Sequence, residues 1–189
     1  MADPADHASL GDVLWHVTMS LDGFIAGVDD AMEWAFSYGK PGPVADEVIE
    51  ATGAILAGRR GYDLGTRPGS QPRGIYGGAW TGPIFVLTHR PSDVPVDPEV
   101  TFLSDGIEDA VAAARAAASG KSVGIFGASI ARQCIERGLL DEIVAHLVPV
   151  LLGEGVRFYD APGVGAIRLE RIAVAEPGQV TDLRFRVVR

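Results

Sequence analysis

The chain has 189 residues, of which 47% are hydrophobic and one is cysteine, and a mean hydropathy of +0.18; that suffices for one substantial domain with its own core, and a second would have to be very small. A net charge of −9 with a pI of about 4.8 argues against nucleic acid or an anionic membrane as the main partner, because long-range electrostatics oppose both. The single cysteine excludes an intrachain disulfide and any multi-cysteine metal site, and no apolar run reaches the length of a membrane span, so a cytoplasmic protein is expected.

Residues 1–12 carry acids and no apolar core, which makes them a disordered tail rather than a signal peptide; residues 13–189 are expected to form one domain. Residues 13–18 read as a buried first strand. The following Met19-Ser20-Leu21-Asp22-Gly23-Phe24-Ile25-Ala26-Gly27 sets two glycines and an acid beside apolar residues, and reads as a functional loop that continues through Asp29-Asp30-Ala31-Met32-Glu33-Trp34. Pro41-Gly42-Pro43 starts a helix with residues 45–52 as its body, and residues 54–57 form a short strand. Gly58-Arg59-Arg60 then marks a strand-to-helix passage. Its paired guanidinium groups are planar forks of donors matched to phosphate oxygens, or else a solvated pair of charges. Residues 65–80, rich in Gly and Pro, read as a long surface loop over an active site.

Residues 84–87 are an all-apolar strand of the kind buried in a parallel sheet. Thr88-His89-Arg90 follow at its carboxyl end, where open α/β sheets bind ligands; the alternative is an ordinary polar loop leading to Pro91, Pro95 and Pro98. Residues 100–103 are another strand, ended by Ser104, and residues 107–118 a helix stopped by Gly120. The most informative stretch is the apolar run from Val123, its Gly127-Ala128-Ser129-Ile130 turn and an amphipathic helix ending at Gly138. Glycine lets the backbone approach a ligand and the free N–H groups of a helix start attract phosphate, although such turns also serve packing alone. Residues 143–152 read as a long strand with a bulge or edge at Pro149. Residues 166–175 and 180–188 alternate around Glu176-Pro177-Gly178-Gln179, a hairpin signature. His16 and His146 read as core or interface histidines, and with no metal-ligand spacing no metal is expected.

Together Met19-Ser20-Leu21-Asp22-Gly23-Phe24-Ile25-Ala26, Gly58-Arg59-Arg60-x-Tyr62, Gly127-x-Ser129-x-Ala131, Gly138-Leu139-Leu140-Asp141-Glu142 and Pro149-Val150-Leu151-Leu152-Gly153 resemble the dihydrofolate reductase-like superfamily. The chain is most similar to the C-terminal reductase domain of the riboflavin-biosynthesis deaminase/reductase, in a stand-alone form. The resemblance implies a mixed, mainly parallel eight-stranded sheet flanked by helices and ending in an antiparallel hairpin, a homodimer, and NADPH as cofactor. It puts phosphate contacts on Gly58, Arg59, Arg60 and Gly127-Ala128-Ser129-Ile130, the adenosine 2′-phosphate on Thr88, His89 and Arg90, adenine near Ser104, and nicotinamide against Ile25 and Ala26.

The acid that assists pterin protonation in folate reductases falls here on Gly39, so folate reduction is not expected. Ile125 stands where riboflavin-pathway reductases carry a glutamate, which leaves the substrate open. Two readings follow: an NADPH-dependent reductase of a small heterocyclic or sugar-like substrate, or a non-catalytic NADP(H)- or ligand-binding domain on the same scaffold. In the first, Asp22 is the candidate acid or proton relay, or else it caps its own turn. Phe24, Trp34 and Tyr62 are candidates for an aromatic substrate wall, or else belong to the core.

Overall fold

The computed structural model describes residues 11–38, 42–66, 74–90 and 99–189. Residues 1–10 of the tail expected over 1–12, the position of the missing acid at Gly39, Pro41, part of the 65–80 loop and Pro91, Pro95 and Pro98 lie outside them; Asp12 is described, its carbonyl accepting from the Val123 N–H (2.8 Å).

Eight strands form one sheet: β1 (Val13–Ser20), β3 (Thr52–Gly58), β4 (Ile84–Leu87), β5 (Val100–Leu103), β6 (Ser122–Phe126), β7 (Glu142–Val148), β9 (Leu169–Ala175) and β10 (Thr181–Val187). Two short strands, β2 (Phe24–Ala26) and β8 (Val156–Arg157), pair with each other beside it. The order across the sheet is β5-β4-β3-β6-β1-β7-β10-β9. The pairings from β5 to β7 are parallel, and β10 runs antiparallel to both its neighbours. This is the mixed, mainly parallel sheet with a terminal hairpin that the sequence predicts.

The parallel strands are near-continuous apolar runs because both faces are covered. On one face α3 (Ile107–Ala117) and α4 (Ala128–Glu136) bury Val13, Trp15, Leu56, Val123, Ile125 and Ile143, with Cys134 of α4 fully enclosed among them. On the other, α1 (Pro43–Ala51) lays Val48 against Leu14 and Val144. The remaining helix, α2 (Arg59–Gly65), follows β3 directly.

Beyond shifts of one to three residues at element ends, four differences from expectation stand out. β1 extends to Ser20, and β2 lies inside the stretch read as loop. The strand expected over residues 143–152 stops at Val148, because Pro149 has no N–H with which to continue the ladder, and Val150 N–H turns back to the Val148 carbonyl (2.8 Å). Residues 75–78 form a 3-10 turn, and Trp80 beyond it is buried, its indole N–H donating to the Thr52 carbonyl (2.9 Å). That end of the expected surface loop packs onto the sheet because an indole buries a large apolar area once its N–H has a partner.

Candidate active site

β1 pairs with β6 only through Val13–Trp15, opposite Val123–Ile125, whereas it follows β7 all the way to Ser20. Beyond Trp15 a slot therefore opens between β1 and β6 at their carboxyl ends. The chain leaves β1 toward α1 on one face and leaves β6 into α4 on the other. Such a reversal of direction is where open α/β sheets bind ligands.

The residues expected to hold a cofactor line up along this end of the sheet. Gly127 caps α4 with φ 97°, a left-handed conformation that L side chains rarely adopt, and a side-chain carbon placed there would meet nothing within 4 Å. The N–H groups of Ala128, Ser129 and Ile130 open the helix, where no intrahelical acceptor exists. Ile130 lies under Gly58, 3.4 Å from where a Gly58 side-chain carbon would stand, so the two turns are neighbours.

Arg59 donates to Asp63 (2.6 Å) and to the Arg90 carbonyl (3.4 Å), which joins the ends of β3 and β4. Arg60 is 69% exposed and pairs with Asp30 (2.7 Å). Thr88 is buried, its N–H donating to the Leu103 carbonyl (2.8 Å) and its hydroxyl oxygen accepting from the Arg90 N–H (3.2 Å). His89, Arg90 and Ser104 are exposed beside it. A run of cations and free N–H groups fits an anionic dinucleotide. Ile25 and Ala26 lie on β2, just before the Val28–Asp30 turn that pairs with Arg60.

Asp22 is a staple. Its carboxylate accepts from the Ser20 hydroxyl (2.6 Å) and from the N–H groups of Leu152 (3.0 Å) and Gly153 (2.7 Å). The Ser20 hydrogen bond, followed by that of Gly153, holds its carboxyl at about 2. A carboxylate so fixed has no proton to give at neutral pH. The turn-capping role falls instead to Ser20, whose hydroxyl oxygen accepts from the Phe24 N–H (2.9 Å).

The three aromatics do not make one wall. Phe24 is buried beneath the Arg157 guanidinium (4.9 Å), and Trp34 donates to the Ala31 carbonyl (3.0 Å). Tyr62 packs edge-on to Phe102 of β5, an edge strand four places from β1. Ile125 is fully buried in the α3/α4 core.

The structure also assembles a cluster that sequence reasoning left apart. His16 Nε2 and His146 Nε2 face each other at 2.5 Å, His146 Nδ1 meets Asp182 Oδ1 at 2.5 Å, and Tyr76 Oη meets His16 Nδ1 at 3.0 Å. Burial, and after it the nearby His146 charge, pulls the His16 pKa down to about 3, so its imidazole is neutral at neutral pH. Burial raises the Tyr76 phenol against a smaller opposing hydrogen bond to Thr52. Two imidazole nitrogens at 2.5 Å leave no room for a metal, which needs about 2.0–2.1 Å to each; among the described residues no metal-binding group of three or more His, Cys, Asp or Glu forms. The sequence signal was an imidazole inside each of two apolar strands, but its meaning depended on the register that sets Asp182 opposite His146.

Comparison with known proteins agrees with this architecture. The family model described as RibD C-terminal domain matches residues 12–181. The chain is 25% identical over 150 residues to the uncharacterized protein YyaP of Bacillus subtilis strain 168, covering 76% of this chain and 77% of that one. A protein of Shewanella sp. PV-4 assigned to riboflavin biosynthesis superposes with a TM-score of 0.78 at 21% identity, over 94% of this chain and 99% of its own. Dihydrofolate reductase from Enterococcus faecalis, solved with NADP(H), gives 0.65 at 14% identity, over 96% and 99%. With the family model spanning nearly the whole described chain, the protein belongs to the RibD C-terminal domain family and has the dihydrofolate reductase-like fold.

Proposed function

We propose that this protein is an NADPH-dependent reductase of a small heterocyclic or sugar-like substrate, of the type of 5-amino-6-(5-phosphoribosylamino)uracil. The observation that carries the reading is the alignment of Arg59, Arg60, Thr88-His89-Arg90 and the first N–H groups of α4 along one end of the sheet, next to the slot between β1 and β6. NADPH would supply the hydride. Gly58, Arg59, Arg60 and the Gly127 turn would hold its phosphates, and the exposed Arg90 and His89 the adenosine 2′-phosphate. Arg59 and Arg60 exchange Asp63 and Asp30 for phosphate oxygens when the cofactor enters.

Fluorescence titration with NADPH and NADH tests cofactor binding. Turnover of dihydrofolate, the aminouracil ribosyl phosphate and quinone-like carbonyls tests chemistry. Replacing Arg59 and Arg60 together by Ala should weaken NADPH by about tenfold or more per lost charge-assisted contact, each worth about 1.5–3 kcal/mol, and NADH by a similar factor, since both cofactors carry the pyrophosphate. Unchanged NADPH affinity in that variant overturns the phosphate assignment. Tight NADPH binding without oxidation across the panel supports the alternative, a non-catalytic NADP(H)-binding domain.

A further inference from the structure

Tyr76, His16, His146 and Asp182 come from four separate elements and meet in one unbroken line of hydrogen bonds on the α1 face of the sheet. Tyr76 sits at the mouth of the slot. Its ring packs on His16 of β1 (centroids 5.3 Å apart) and on Phe126 at the end of β6 (5.4 Å), so it spans the two strands that part there. It is held with φ 52° between Gly74 at 63° and Gly77 at 68°. A bulky residue in the left-handed region is strained, and such strain persists where surrounding structure over-determines it.

At the other end the Asp182 carboxylate is 2% exposed, and its Oδ2 has no hydrogen-bond partner among the described residues. The hydrogen-bond partner of its other oxygen, Oδ1, is His146 Nδ1. Among the described residues this face also carries the buried Glu142–Arg184 pair, bonded at 2.7 Å, and the exposed Arg186–Glu170 pair at 3.3 Å, while α1 turns Val44, Ala45 and Val48 inward and leaves Asp46, Glu47 and Glu50 exposed.

We propose that these four residues form a proton wire that stores a proton on the His146–Asp182 pair and delivers it through His16 to the Tyr76 hydroxyl, which gives it to the atom being reduced. The wire rests on the reductase reading above, for which NADPH would supply the hydride.

The atoms allow two arrangements with His16 neutral in both. In the empty one, Tyr76 O–H donates to His16 Nδ1, His16 Nε2–H to His146 Nε2, and His146 Nδ1–H to the Asp182 carboxylate. Each donor points toward Asp182. Adding one proton makes His146 an imidazolium beside the carboxylate and reverses the rest: His146 Nε2–H donates to His16 Nε2, His16 Nδ1–H to Tyr76 Oη, and the Tyr76 O–H turns from His16 to the Thr52 hydroxyl oxygen, which gives its own proton to the Val48 carbonyl, until a substrate atom takes it. Delivery returns the wire to its empty form. The Tyr76 proton goes to the oxygen or nitrogen of the substrate's C=O or C=N bond, whose carbon takes the hydride. Tyr76 Oη recovers a proton from His16 Nδ1, and His16 Nε2 recovers one from His146 Nε2. Water entering the vacated slot reloads Tyr76 and reverses each step. Tyr76 is the catalytic residue in this scheme; His16, His146 and Asp182 act through it.

Histidine 15N NMR on the intact protein reads the wire without any substrate. Above the loading pH, His16 should carry its proton on Nε2 and His146 on Nδ1. As pH falls, His146 should become doubly protonated in the same step that moves the His16 proton from Nε2 to Nδ1. Asp182→Asn keeps an acceptor for His146 but removes the balancing charge, so that step should move to lower pH. A His16 that keeps its Nε2 proton while His146 titrates, or an Asp182→Asn protein that titrates like the wild type, overturns the wire.

Single-turnover oxidation of bound NADPH with the carbonyl panel gives the second readout. Tyr76→Phe should slow it about 10²–10⁴-fold, the range for a positioned general acid, with NADPH affinity within about twofold of wild type. If the wild type does not bind NADPH, the reductase reading fails and takes the wire's role as donor with it. If the wild type oxidises NADPH and Tyr76→Phe does so equally fast with the same pH profile, the reading stands and the wire alone is overturned.

Discussion

At Asp22 the folded chain changes a proton equilibrium more than it changes a shape. Three donors, Ser20, Leu152 and Gly153, converge on the carboxylate and lower its pKa from 3.8 to about 2. With the folded value below the unfolded one, the stabilisation is complete above about pH 4 and is lost as pH falls through about 2. Asp22→Asn should therefore be less stable than wild type at pH 7, and the gap in Tm should close between pH 4 and pH 2; a gap that persists at pH 2 would mean that the side chain stabilises by packing and not by charge. Much was legible at this scale. Gly58, Arg59, Arg60 and Gly127 announce themselves because adjacent residues suffice to place a strand end, a helix start and their donors. The ionised state of Asp22 did not, since two of its donors lie 130 and 131 residues away.

Among the elements, the long strands and helices were readable from periodicity, whereas β2 and β8, of three and two residues, are too short to carry any period. On the proposed reading they matter to the slot all the same, because β2 holds Ile25 and Ala26. The pair closes against Gly155, which has φ 139°, and a side-chain carbon there would lie 2.1 Å from the Ala26 carbonyl oxygen. Gly155→Ala must push β8 and β2 apart. It should cost at least the ~1–3 kcal/mol typical of overpacking, measured by urea unfolding, and, on the proposed reading of Ile25 and Ala26 as nicotinamide contacts, weaken NADPH as well. Wild-type stability in this variant would show that the approach of Gly155 to Ala26 relaxes freely. The overlong reading of β7 has a similarly local cause, since hydropathy continues through Leu152 while the donor needed for pairing is missing at Pro149.

Over the whole molecule, a net charge of −9 coexists with Arg59, Arg60, His89 and Arg90 gathered at the carboxyl ends of β3 and β4. The chain as a whole repels anions while one end of its sheet is suited to receive them. What no reading of the sequence could assemble is the line from Tyr76 to Asp182, whose members are 60, 130 and 36 residues apart and meet only once β1, β7 and β10 are in register. Cys134 adds something of a different kind. Its sulfur is fully buried in the α3/α4 core and burial pushes its thiol up to about 12, so it lacks both the access and the thiolate that alkylation requires. As the sole cysteine, it makes the protein its own opening meter: a thiol reagent reacts only when α4 lifts from the sheet. That same helix begins at the Gly127 turn, so on the proposed reading, in which that turn holds the cofactor phosphates, NADPH at 100 times its dissociation constant should slow labelling by about 100-fold. Labelling at an unchanged rate would mean that α4 opens without disturbing the cofactor.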